Sequence, residues 1–342
     1  MILVTGGTGL VGTHLLASLV QKQEKIRAIH RKSSNLDAVK EVFSFYFDDV
    51  TAQFSKIEWI EADITDVTSL EKVFEGVTYV YHVAALVSFN PKEYHLMRTI
   101  NIDGTANIVN FSITQKVKKL CFVSSIAAID KTHKNGLIDE TGDWTVEANN
   151  YGYAISKYGA EMEVWRGTQE GLDAVIVNPG LILGSGCWDT SSGKIFSEVN
   201  KGLKFYTEGV TGYVSVKDVV KSMVKLMESN IKNERYILVA ENRSLKDILF
   251  QIANAFGKKR PSIKVTTLLA EIGWRLLYIP SKLFGTEAKL TKQTAKSIHN
   301  KYHFSNAKIK KAIEIEFESI DEVIKEVSSN FKRELPHKRS VF

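Results

Sequence analysis

Two cysteines in 342 residues, Cys121 and Cys187, are too few for a disulfide framework and fit a reducing, cytoplasmic setting. Long apolar runs are missing as well. The most apolar later stretch, Leu268 to Phe284, is interrupted by Glu271, Arg275 and Pro280, which excludes a transmembrane segment there. Its Trp274, Leu276 and Leu277 could touch a membrane surface, but a packed helix is the stronger expectation. No dense Lys/Arg tract accompanies the net charge of +6, so nucleic acid is not expected as a partner. Met1 stands directly before the first apolar strand, leaving no room for a leader peptide, so the expected location is cytoplasmic. Internal repeats and low-complexity linkers are absent, and no metal site is expected.

What is present is an alternation of short apolar runs and helical patterns, the signature of a parallel sheet wrapped by helices. Candidate strands are Ile2–Val4, Ile26–Ile29, Glu58–Glu61, Tyr79–Val83, Lys119–Ser124 and Ala174–Val177. A later unit, Val214 to Val220 followed by Tyr236–Val239, reads as a continuation of that sheet. The expected class is α/β, a Rossmann-type doubly wound parallel sheet with a smaller C-terminal substrate-binding region. Residues 1–180 and 209–240 would form the dinucleotide-binding domain, 181–208 and 241–333 the substrate-binding region, and 334–342 a tail.

The opening strand runs into Thr5-Gly6-Gly7-Thr8-Gly9-Leu10-Val11-Gly12 and then a helical pattern. Glycines at this spacing allow a tight turn, a close approach to a pyrophosphate and tight helix packing. The following helix offers free N–H groups and the positive end of its dipole. Thr5, Gly6, Thr8, Gly9, Leu10, Val11 and Gly12 are therefore candidate cofactor contacts. The second strand ends in Ile29-His30-Arg31-Lys32, with no carboxylate to hold ribose hydroxyls. Arg31, with Lys32 beside it, can instead grip a 2′-phosphate through charge-assisted bonds of about 1.5–3 kcal/mol each. NADP(H) is thus favoured, with NAD(H) as the alternative. Asp63, next to Ile64, is placed to accept from the adenine amino group, while Asp66 caps the next helix.

Tyr153-Ala-Ile-Ser-Lys157 puts a phenol and an ammonium on one helix face. A cation beside a phenol lowers its pKa from about 10 and fits it for acid–base work. Tyr278-Ile-Pro-Ser-Lys282 repeats the spacing, but Pro280 breaks the helix geometry. Upstream, Cys121-Phe122-Val123-Ser124-Ser125 is a buried-strand pattern ending in hydroxyls, and ligands of parallel sheets bind at such carboxyl ends. A serine there can hold a carbonyl oxygen near the tyrosine proton.

With these motifs the chain resembles the extended short-chain dehydrogenase/reductases, within the NAD-dependent epimerase/dehydratase family, and most of all the dihydroflavonol 4-reductase-like and 3β-hydroxysteroid dehydrogenase-like reductases. The resemblance runs from Met1 to about residue 330. It also covers His82-Val-Ala-Ala85, Asn101-Ile-Asp-Gly104-Thr105 opening a helix, Asn178-Pro179-Gly180 and Gly212 to Asp218. It implies Tyr153 as proton donor and acceptor, Lys157 as its support and a ribose ligand, and Ser125 as the substrate-orienting hydroxyl. It implies Ser124, Ala84 and Ala85 beside the cofactor, Pro179 and Gly180 flanking the nicotinamide, and Asn101 in support.

The expected activity is reduction of a ketone or aldehyde. A nucleotide-sugar epimerase is the alternative, and a non-catalytic NADP-binding sensor the second. Ser125 is followed by Ile126 and Ala127 rather than an acidic pair, which argues against dehydration. Phe89, Trp188, Phe196 and Tyr206 would give the pocket an apolar or aromatic character suited to a small-molecule carbonyl substrate. A homodimer is compatible with these features.

Overall fold

A computed structural model describes residues 1–129, 136–142, 144, 151–190, 192–271, 274 and 299–338. Its centre is a seven-stranded sheet. In chain order the strands are β1 (Ile2–Thr5), β2 (Ile26–His30), β3 (Ile57–Glu61), β4 (Tyr79–His82), β5 (Lys119–Val123), β6 (Ala174–Pro179) and β7 (Glu234–Leu238). Their spatial order is β3-β2-β1-β4-β5-β6-β7, and every neighbouring pair is parallel. The chain reverses its direction of travel between β1 and β4, and crevices at such switch points take ligands at the carboxyl ends.

Side chains alternate along each strand, so each strand feeds two cores. Ile2, Val4, Ala28, Val123 and Val177 pack with the helices Leu10–Gln21 and Val216–Glu228. Leu3, Ile29, Phe122 and Ile176 pack on the other face with the helices Gly104–Thr114 and Gly152–Gln169. The sheet is buried on both sides, which is why its strands read as unbroken apolar runs.

Three expectations change here. The strand Val210–Ser215 does not extend the central sheet; it pairs with Leu181–Leu183 and Glu241–Ser244 in a separate three-stranded sheet. Only β7 joins the large one, and Gly180 lies in close backbone contact with Gly212 of the smaller sheet. An added Cβ at Gly180 would lie 2.4 Å from the Gly212 carbonyl oxygen. Trp188 and Phe196 do not face a pocket. They belong to a second apolar core with Tyr213, Ile248, Ile252, Phe256, Ile324 and Phe331, and Tyr206 rests on Phe250 at its margin. Finally, the last helix, Ile320–Lys338, continues past residue 334, where a tail was expected.

The smaller region is held by ordinary local rules. Ser244 caps the helix Leu245–Phe256 by accepting from Asp247 N, and Gly257 closes it in the left-handed conformation at φ 67°. Among the described residues, no helix is long and apolar enough to cross a membrane. The apolar stretch from Leu268 and the second Tyr-x-x-x-Lys copy lie mostly or wholly outside the described residues.

Candidate active site

Because all seven strands run the same way, their carboxyl ends share one edge, and the glycine turn, Arg31, Lys32, Asp63, Ala84, Ala85, Ser124, Ser125, Pro179 and Gly180 follow those ends. At the end of β1 the chain turns through Gly6, at φ 69°, where an added Cβ would sit 2.6 Å from the Ala84 nitrogen. An added Cβ at Gly12 would lie 2.1 Å from the Gly6 carbonyl oxygen. Gly9 caps the helix Leu10–Gln21 with no side-chain hydrogen bond, and the first turn holds no acidic residue. The leading N–H groups are thus left for an anion, so the loop fits a dinucleotide pyrophosphate.

Thr5 differs from the expectation. It is buried, and its hydroxyl takes the Ala84 N–H (3.2 Å) while donating to His82 Nδ1 (2.7 Å). His82 Nε2 then donates to Thr105 Oγ1 (2.9 Å), whose hydroxyl donates to the Asn101 carbonyl. The chain of donors fixes one neutral tautomer. Burial, with the Lys157 charge nearby, pushes the histidine down to about 3. Thr5 therefore braces the loop and does not face it.

Asn101 is likewise a brace. It lies within a π-helical turn, Thr99–Asp103, that continues the helix Tyr94–Arg98, and does not open a helix. Its side chain accepts from Leu86 N (2.7 Å) and donates to Leu86 O (2.9 Å) and Ser156 Oγ (3.0 Å).

At the end of β2, Arg31 and Lys32 are exposed, and neither side chain has a hydrogen bond or ion pair among the described residues. Asp63 Oδ1 is occupied by Thr65, accepting from its N (2.9 Å) and its hydroxyl (2.7 Å). Ile64 turns its side chain into the core, and Asp66 caps the next helix as expected.

Past β5, Ser125 accepts from Ala127 N (3.1 Å), and its hydroxyl neighbours the Tyr153 phenol. Tyr151 begins the helix Gly152–Gln169 in an extended conformation, and Tyr153 and Lys157 follow on one face. Lys157 is 2% exposed; its ammonium donates to the Val123 carbonyl (2.7 Å) and lies 4.5 Å over the Phe122 ring. Burial pulls Lys157 down to about 7, against the raising effect of Glu161. The Tyr153 phenol was expected below its ordinary pKa. Burial instead raises it, and the neighbouring Ser125 hydroxyl opposes the rise. Lys157 is engaged by Val123, so Tyr153 is a neutral acid at neutral pH.

The sequence reading missed a buried group on the same helix. Glu161 is fully buried, and it accepts from Ser124 Oγ (2.6 Å), Asn178 Nδ2 (2.9 Å), Trp165 Nε1 (3.4 Å) and Arg235 (3.1 Å). Asn178 Nδ2 also donates to the Ser125 carbonyl (3.0 Å). The available signal was position: Glu161 stands four residues past Lys157, one turn along the same face.

The parallel sheet, the glycine turn and the open helix N-terminus define a Rossmann-type fold. Residues 2–240 match the NAD dependent epimerase/dehydratase family. The chain belongs to that family, whose members depend on NAD(P). It is 30% identical over 266 residues to a "Putative dihydroflavonol 4-reductase" of Synechocystis sp., covering 75% of this chain and 73% of the relative. It is 27% identical over 314 residues to an anthocyanidin reductase of Vitis vinifera, covering 85% and 88%. Among solved structures, gox2253 superposes with a TM-score of 0.80 at 26% identity over 98% of both chains. A Thermotoga maritima UDP-glucose 4-epimerase with UDP-glucose gives 0.77 at 21% identity, covering 98% of this chain and 99% of that one, which is likeness of fold.

Proposed function

We propose that the chain is an NADPH-dependent reductase of a ketone or aldehyde. The observation that carries this is the Ser125 hydroxyl beside the Tyr153 phenol at the end of β5, with Lys157 one helical turn away. Bound NADPH supplies the hydride. Ser125 holds the carbonyl oxygen, and Tyr153 passes its proton to that oxygen as negative charge develops there. A phenol held protonated by burial suits this direction. Lys157 stabilises the tyrosinate that remains and holds the ribose of the cofactor. Gly6, Thr8, Gly9, Leu10, Val11 and Gly12 receive the pyrophosphate, and Ala84, Ala85, Ser124, Pro179 and Gly180 border the cofactor. Arg31 and Lys32, exposed and without a side-chain partner among the described residues, favour a 2′-phosphate.

The substrate is apolar or aromatic. Phe89, 58% exposed, stacks 5.8 Å from Tyr151 and lies 6.4 Å from the Tyr153 ring, so an aromatic wall stands beside the proton donor. Relatives carrying reductase names support the same direction. The test is NADPH oxidation against a panel of flavonoid, steroid and small aldehyde carbonyls, with UDP-sugars alongside. Oxidation dependent on a carbonyl compound is expected. Epimerised UDP-sugar without net oxidation would replace this function with the epimerase, and cofactor binding with no turnover would point to a sensor.

A further inference from the structure

Ser124, Asn178 and Arg235 come from three adjacent strand regions and meet at one atom pair, the Glu161 carboxylate. Four donors converge on two oxygens, an acceptor-only arrangement that a carboxylate satisfies and a neutral acid does not. Arg235 reaches it from β7, with its side chain 16% exposed. The other face of that guanidinium is occupied by the Glu140 and Gly142 carbonyls. Asn178 is orientationally determined: its amide N–H groups point at two acceptors, the Ser125 carbonyl and Glu161. Flipping it would set oxygen against oxygen. Its own Oδ1 is buried with no hydrogen-bond partner, so the site holds Asn178 for what Nδ2 does.

Isolated buried ion pairs commonly add little stability, because desolvation offsets the attraction. This one has a second consequence, since two of its contacts, Ser124 and Asn178, lead to site residues. Ser124 precedes Ser125, Asn178 precedes Pro179 and grips the Ser125 carbonyl, and Lys157 lies one turn back on the same helix. We infer that Glu161 is a positioning residue of the active site, fixing the ends of β5 and β6 around Ser125. This rests on the proposed reductase function. Among the described residues, the charged and titratable groups facing the two residues are His82 from β4, beside Lys157, and Arg235 from β7, paired with Glu161. Glu161 is, among the described residues, the anion that raises Lys157.

The decisive variant is Glu161→Gln, which keeps an amide oxygen and removes the charge. Its kcat for carbonyl reduction should fall at least about tenfold with the KM for NADPH within about twofold, the pattern of lost alignment at the reacting centre. The alkaline limb of the kcat profile should move to lower pH, because without the carboxylate Lys157 loses its proton sooner. Glu161→Asp keeps the charge on a shorter arm and should restore the limb while turnover stays low. A variant with a lowered Tm but wild-type kcat, KM and pH limb would show Glu161 to be structural only and overturn the inference.

If Glu161→Gln does not fold, the double variant Glu161→Met/Arg235→Met removes both charges, an exchange that buried pairs commonly tolerate. Folded protein with kcat still reduced at least about tenfold is expected, and wild-type turnover would refute the positioning role. Lys157 can also be titrated directly by NMR of lysine labelled with ¹³C at Cε. A lower midpoint in Glu161→Gln is expected whether or not a substrate is found, and an unchanged one would overturn the charge role. Wild-type protein inert toward every carbonyl would instead sink the reductase function, leaving the Lys157 titration to judge Glu161.

Discussion

Between the carboxyl edge of the parallel sheet and the smaller core around Phe196, the chain changes its means of holding itself together. At the sheet edge buried polar groups are chained to one another: Thr5 to His82 to Thr105, Asn101 to Leu86 and Ser156, and Ser124 and Asn178 to Glu161. Around Phe196 the contacts are mainly apolar, with Trp188 Nε1 donating to Glu334 at the margin. Trp188 stands edge-on to Phe331 at 4.8 Å and Phe256 is tilted against Phe331 at 5.2 Å. Directional bonds determine where atoms sit, while close packing mainly sets how much free energy the region contributes. The first region is built for geometry and the second for stability.

The comparison is broken most severely by emptying the apolar core. Phe196→Ala should cost about 3–5 kcal/mol, read as a fall in the thermal midpoint, while folded protein keeps its affinity for NADPH. Weakened NADPH binding at equal folded fraction would mean that Phe196 shapes the site after all.

Next in size is an acid effect on the polar braces. His82 is held down to about 3, and His14, buried and donating to the Ser185 carbonyl at 2.9 Å, to about 4. The ordinary value is 6.5, so below it the unfolded chain binds protons that the folded histidines refuse. Stability is then lost as pH falls from about 6.5 toward 4, by about 2 kcal/mol per histidine at pH 5. Thermal melts at pH 7 and pH 5 measure the loss, and His82→Asn should reduce it. Equal melting midpoints at the two pH values would contradict neutral burial.

The smallest effect belongs to the exposed rim. Arg31→Asp should shift preference from NADPH toward NADH by about ten- to a hundredfold in kcat/KM, the worth of one or two charge-assisted contacts. No shift would remove Arg31 from the 2′-phosphate site.

Local order carried most of what could be read without coordinates. Gly6, Gly9 and Gly12 reveal a turn because strand, loop and helix are contiguous, and Tyr153 and Lys157 share a face because helical spacing requires it. Ser125 is legible as the polar end of an apolar strand. Long-range pairing is not legible in this way. Arg235 lies 74 residues from Glu161, and nothing in either neighbourhood names the other. Val210–Ser215 has the strand pattern but not the identity of its sheet, since apolar alternation says which face is buried and not against what. Trp188 and Phe196 are aromatic whether they line a pocket or fill a core. The Tyr153 phenol shifted opposite to expectation because burial outweighed the neighbouring Ser125 hydroxyl, while the Lys157 ammonium is engaged by the Val123 carbonyl.

The central claim is that the sheet edge supplies a proton through Tyr153. Tyr153→Phe removes one hydroxyl and leaves the glycine turn, Arg31 and Lys157 in place. The measurement is kcat for carbonyl-dependent NADPH oxidation beside NADPH binding by fluorescence titration, in wild type and variant. The account predicts turnover reduced by about 10²–10⁴-fold with binding changed by less than about threefold. A variant that reduces the same carbonyl at the wild-type rate would contradict it.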